Sequence, residues 1–152
     1  MAMGCGSSTS ATQTSSTAPK TFTGSALDWL TTEARPANKA LNDDQIAVLR
    51  DSRSGGETNP SAFFSHLAAA CRQFKADAEK ARALPPAPTV GLESAWQTMA
   101  ITTEDYATSC VTLTHTGSSA DLNRWNETLK AMDSANATLN TEVAKIRGVP
   151  AG

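Results

Sequence analysis

SSADLNRWNETLKAMDSANATLNTEVAKIRG, residues 118–148, is the stretch that decides the fold. It opens with Ser118 and, three residues later, Asp121, an acidic relative of the capping box. Leu122, Trp125, Leu129, Met132, Asn136, Leu139, Val143 and Ile146 follow at alternating steps of three and four. That spacing lines them along one face of an α-helix. Lys145 and Arg147 stand in the last turn, where cations suit the helix dipole, and Gly148 supplies the stop. Start, face and stop agree.

Working outward, the same signals mark three more helical segments. Thr89 caps a helix whose apolar face is Leu92, Trp96, Met99, Thr103, Tyr106, Cys110 and Leu113, ending near Gly117. Pro85-Pro86-Ala87-Pro88 before it is a stiff, extended connector. Upstream, Asn59 as cap and Pro60 at the first helical position start a helix carrying Phe63, Leu67, Cys71, Phe74, Ala78, Ala81 and Leu84. The first helical region runs from about Ser25 to Arg53, with Leu27, Trp29, Leu30 and Ala34 on its opening face. Pro36 removes a backbone donor there and predicts a kink or short break. Asn42, followed by Asp43 and Asp44, reads as a cap that restarts the helix, and Gly55-Gly56 ends it. Four segments with short connections over residues 24–152 predict an all-α fold, an antiparallel (up-down) four-helix bundle with a kinked or broken first helix. No internal repeat points to a solenoid.

Residues 1–23 read differently. From Gly4 to Thr23 the chain is GCGSSTSATQTSSTAPKTFT, too poor in apolar surface to offset its ordering entropy, and so a disordered, flexible tether. Met1-Ala2-Met3 resembles a vector junction or replaced leader, because no hydrophobic segment precedes Cys5. No apolar run reaches the roughly 18 residues that span a bilayer.

Charge and chemistry narrow the function. Thirteen basic and 15 acidic residues are dispersed along the chain for a net charge of −2, leaving no basic stripe for nucleic acid. His66 and His115 each lie five residues from a cysteine, on opposite sides of the helix pair, and cannot share an ion. Ser65 and His66 are helix neighbours that point about 100° apart, so they form no nucleophile–base pair. No cofactor, metal or catalytic motif stands out, and the expectation is a non-enzyme.

Cys71 and Cys110 fall on core-facing stripes of consecutive helices and are the expected disulfide, unless both are small buried thiols. Such a bridge would add about 4 kcal/mol in the chain-entropy model. In a tight hairpin the two would sit roughly 10 Å out of level at 1.5 Å per residue, an offset the Pro-rich connector could absorb. Asn136 is a polar residue at a seam position, which fixes register or meets a buried partner at some cost in stability. Trp29, Trp96, Trp125 and Tyr106 are first of all core residues, and otherwise an aromatic-lined binding pocket.

Gly4-Cys5 ahead of a Ser/Thr tether resembles the mature end of a bacterial lipoprotein, whose cysteine is acylated. With Gly4-Cys5-Gly6-Ser7-Ser8, Ala70-Cys71-Arg72, Ala83-Leu84-Pro85-Pro86-Ala87-Pro88, Trp96, Tyr106 and Cys110, the chain resembles small actinobacterial cell-envelope lipoproteins of uncharacterised function. The resemblance implies lipidation at Cys5, a membrane reached through that lipid anchor, and an extracytoplasmic address. The expected function is a tethered binding or interaction module for a protein partner, as in phage-borne lipoproteins that block superinfection. The alternative is a carrier with a pocket between the helices for a small apolar ligand.

Overall fold

A computed structural model describes residues 21–54 and 60–149. Ser25 opens the first helix: its hydroxyl accepts from the Asp28 amide at 3.1 Å while its own amide donates to the Asp28 carboxylate at 3.0 Å. This reciprocal cap starts α1 (Ala26–Trp29), which passes into a π-helical turn, Leu30–Ala34, and then α2 (Arg35–Arg53). The π turn, where the Arg35 amide reaches back to the Leu30 carbonyl, lies directly ahead of Pro36. Widening the backbone there accommodates a residue that has no N–H to give its own turn. The chain therefore stays helical through Pro36, and Asn42 lies inside α2 instead of capping a new helix.

Three long helices follow, α3 (Pro60–Arg82), α4 (Val90–Thr116) and α5 (Ser119–Arg147). The Thr89 hydroxyl accepts from the Leu92 amide at 3.4 Å, and the Ser118 hydroxyl accepts from the Asp121 amide at 3.1 Å. Gly117 and Gly148 end α4 and α5 with φ of 61° and 66°, a left-handed conformation that side chains disfavour. The regular structure among the described residues is entirely helical. Residues 1–20, with Cys5, and the expected punctuation at Gly55-Gly56 and Asn59 lie outside the described residues.

Packing follows chain order: α2 lies on α3, α3 on α4 and α4 on α5, and α1 also touches α5. Contacts between neighbours run in reverse order. Ala81, Phe74 and Cys71 of α3 meet Trp96, Tyr106 and Cys110 of α4, and Tyr106 and Ser109 of α4 meet Trp125 and Thr128 of α5. At the far end, the α4 start lies beside the Glu142 carboxylate near the end of α5, so α5 meets α4 near both of its own ends. Trp29, Val48, Leu67, Phe74, Leu92, Met99, Tyr106 and Met132 fill the core.

The connector between α3 and α4 is clasped by two indoles. Trp96 Nε1 donates to the Ala81 carbonyl at 2.8 Å and Trp29 Nε1 to the Pro85 carbonyl at 2.8 Å. Their rings meet edge to face with centroids 5.3 Å apart. The Glu93 carboxylate accepts from the Ala87 amide at 2.7 Å and holds the next turn of the strap. The last turn of α3 is thus level with Trp96, about seven residues into α4, and the first two turns of α4 rise past the end of α3 by roughly 10 Å. That overshoot cancels the level mismatch expected from the sequence. Cys71 and Cys110 are disulfide-bonded, with Cα atoms 5.9 Å apart.

Two consequences can be measured. Replacing Cys71 and Cys110 together with Ala should lower the unfolding free energy in urea by about 3–4 kcal/mol while helical circular dichroism persists. Trp96→Phe, which removes the indole donor and leaves the Ala81 carbonyl with only the Leu84 amide, should cost about 0.5–1.5 kcal/mol by the same assay.

Candidate functional site

The first helical region and α5 approach each other at the α1 end, and between α2 and α5 lies a cleft of about 380 Å³. Its floor is apolar, made by Leu30, Trp96, Leu139 and Val143. Its walls are not. From α2 come Arg35, Asn38, Lys39 and Asn42, spaced so that one helical stripe carries all four. From α5 come Asn136, Asn140 and Arg147. Two asparagine pairs at four-residue spacing therefore line opposite walls, with three cations and no carboxylate among the lining residues.

These polar groups are unspent. Among the described residues, the side chains of Asn38, Asn42, Asn136 and Asn140 make no hydrogen bond, and Arg35 and Arg147 make no ion pair. Only Lys39 is engaged, with Asp43 at 2.5 Å on the exposed side of α2. Asn136 is half-buried, whereas Asn38, Asn42 and Asn140 are exposed. Its position agrees with the sequence reading of a seam polar residue. Arg35, Asn38, Lys39, Asn42, Asn140 and Arg147 were not anticipated as site residues: Asn42 reads locally as a cap and Arg147 as a dipole partner.

The four aromatic candidates separate into two groups. Trp29 and Trp96 are buried in the clasp described above, and Trp96 also underlies the cleft. Tyr106 is buried between Phe74, edge-on at 5.9 Å, and Trp125, stacked at 5.6 Å. Burial pushes the Tyr106 phenol up to about 12. The Trp125 indole N–H works against that shift, yet it falls short of hydrogen-bond geometry, and Trp125 Nε1 is buried without a partner. Trp125 also borders a second groove of about 330 Å³ with Phe63, Phe64, Leu113 and Leu122. Here the lining is apolar, and Phe64 and Leu122 are exposed.

Elsewhere the chemistry is sparse. His66 and His115 are exposed, and among the described residues no group of three or more His, Cys, Asp or Glu could hold a metal ion. No described helix is long and apolar enough to cross a membrane. No family model, no curated protein and no solved structure matches the chain.

On the opposite side of α2, Asp44 faces Asp77 of α3. Partial burial, and then the neighbouring Asp77 carboxylate, push Asp44 up to about 6. Asp77 is held below the usual carboxylate range by its bond to Lys80 at 2.6 Å, with further help from Gln73. A carboxyl whose folded pKa is raised binds its proton more tightly in the folded state. Its stabilisation is therefore present below pH 4 and lost as pH rises to about 6. Asp77 has the opposite sign, but it is already ionised across that window. Urea unfolding between pH 4 and pH 6.5 should show this loss superimposed on the other titrations. Asp44→Asn should flatten it and raise stability at pH 7.5 by up to about 1 kcal/mol, solvent screening limiting the gain.

Proposed function

We propose that the chain is a non-enzymatic binding module, tethered to a membrane on its extracytoplasmic face and using the cleft between α2 and α5 to engage a protein partner. In this reading the four helical segments form an up-down antiparallel bundle, kinked at Pro36. The reverse order of the contacts between successive helices and the π turn before the proline support that arrangement.

The observation that carries the reading is the cleft itself. A well-packed core leaves this seam open, and the seam concentrates hydrogen-bonding groups with no partner among the described residues. Such groups are hydrated in the isolated chain and are free to exchange that water for a ligand's polar groups. A catalytic centre needs a nucleophile or an acid–base pair converging on one point. Amides and permanently charged guanidinium groups offer neither. An apolar-ligand carrier fits less well, because the apolar groove at Trp125 lies at the surface between exposed Phe64 and Leu122.

The address rests on different residues. The Cys71–Cys110 disulfide is compatible with an oxidising compartment. Gly4-Cys5 ahead of a Ser/Thr-rich run supports acylation at Cys5 and a lipid anchor on the cell envelope. Blocking a second phage at the cell surface is one task such a module could serve. Native mass spectrometry of protein recovered from its own membrane should show an acyl group on Cys5, the mass deficit of one disulfide, and a retained protein. Unmodified Cys5 together with free thiols at Cys71 and Cys110 would contradict the address.

A further inference from the structure

We infer that the cleft between α2 and α5 reads an extended, acidic peptide segment, with the carboxamides holding its backbone and Arg35 and Arg147 holding its carboxylates. The inference rests on the reading of the chain as a binding module and adds the chemistry of what it binds.

A carboxamide carries both a donor and an acceptor, as a peptide group does. Asn38 and Asn42 on one wall, and Asn136 and Asn140 on the other, therefore offer a matched set to a backbone lying along the cleft. A guanidinium is a fixed fork of donors that fits a carboxylate with two parallel hydrogen bonds. Arg35 and Arg147 are both without an ion-pair partner among the described residues. The chain as a whole carries a net charge of −2, yet the lining of this cleft is purely cationic and neutral. The contrast selects for an anionic ligand.

The dimensions suit a short extended segment. The α2 stripe from Arg35 to Asn42 runs about 10 Å, and the α5 stripe from Asn136 to Arg147 about 16 Å, at 1.5 Å per residue. An extended chain rising about 3.3 Å per residue places three to five residues along that length. Other anionic ligands fit less well. A sugar site generally offers an exposed aromatic face, but Trp96, the aromatic residue of this lining, is 1% exposed and has its ring edge against Trp29. An amphipathic helix needs an apolar groove, and here the walls are polar.

The test is fluorescence anisotropy on the full chain with a labelled hexapeptide of alternating Asp and Ala, blocked at both ends. Its Asn/Ala and Lys/Ala analogues and an oligogalacturonate serve as competitors. The Asp peptide should bind at least about tenfold more tightly than either analogue and weaken as salt is raised. The double variant R35Q/R147Q, altered only at exposed side chains, should lose that preference. Asn136→Leu should weaken the Asp peptide several-fold while leaving the salt dependence intact. Equal binding of the Asp and Asn peptides, displacement by the oligogalacturonate alone, or an unchanged R35Q/R147Q variant would each overturn the inference. So would an absence of binding by every probe. If the membrane-derived protein nevertheless retains a protein partner by native mass spectrometry, only the ligand chemistry fails; if it retains none, the binding-module reading fails with it.

Discussion

Two indole N–H groups, on Trp29 and Trp96, hold the connector between α3 and α4, and most of the remaining geometry depends on where they hold it. Trp29 gives the Pro85 carbonyl of the proline-rich strap a donor, and Trp96 adds a second donor to the Ala81 carbonyl in the last turn of α3, which the Leu84 amide also reaches at 3.4 Å. They also set the vertical offset between the two helices. With α4 raised by about two turns, Cys71 meets Cys110 and Phe74 meets Tyr106. The same clasp ties α1 to the end of the α3–α4 pair, because Trp29 belongs to α1.

That tie explains where the fold is closed and where it is open. The first helical region is anchored to α5 near Trp29, and α2 then turns its buried residues, Leu41 and Val48, towards the core while packing on α3. Along α5, Met132 and Leu139 are buried but Leu129, Asn136, Val143 and Ile146 remain half-exposed. A helix whose seam is only half covered has surface left for a partner. Here the seam is flanked by carboxamides and cations in place of a greasy stripe.

The helices were readable in the sequence because their signals are local. Ser118 with Asp121, Thr89, and the glycines at 117 and 148 act within one turn of the chain, and each appears as expected. Pro36 was not fully readable. Whether a proline breaks a helix or is absorbed by a π turn depends on how strongly the flanking residues are buried, and Trp29, Leu30 and Ala34 are all core residues. The Asn42 cap failed for the same reason, since a helix that never stopped needs no restart. The disulfide was readable as a pairing of faces, but its level depended on a clasp between residues far apart in the chain. The cleft was the least readable feature. Asn38 and Asn42 lie about 100 residues from Asn136 and Asn140, and each pair alone resembles an ordinary solvated helix face. Only Asn136, the polar residue in an apolar seam, marked this surface from the sequence.

Four carboxamides along one seam have no hydrogen-bond partner among the described residues. The most direct measurement is proton exchange at the side-chain amides of Asn38, Asn42, Asn136 and Asn140, followed by NMR on asparagine-labelled protein. Exchange close to that of free asparagine for Asn38, Asn42 and Asn140, with at most modest slowing at half-buried Asn136, is the predicted result. Strong protection of all four in the isolated chain would mean that the seam already satisfies itself, and would contradict the account.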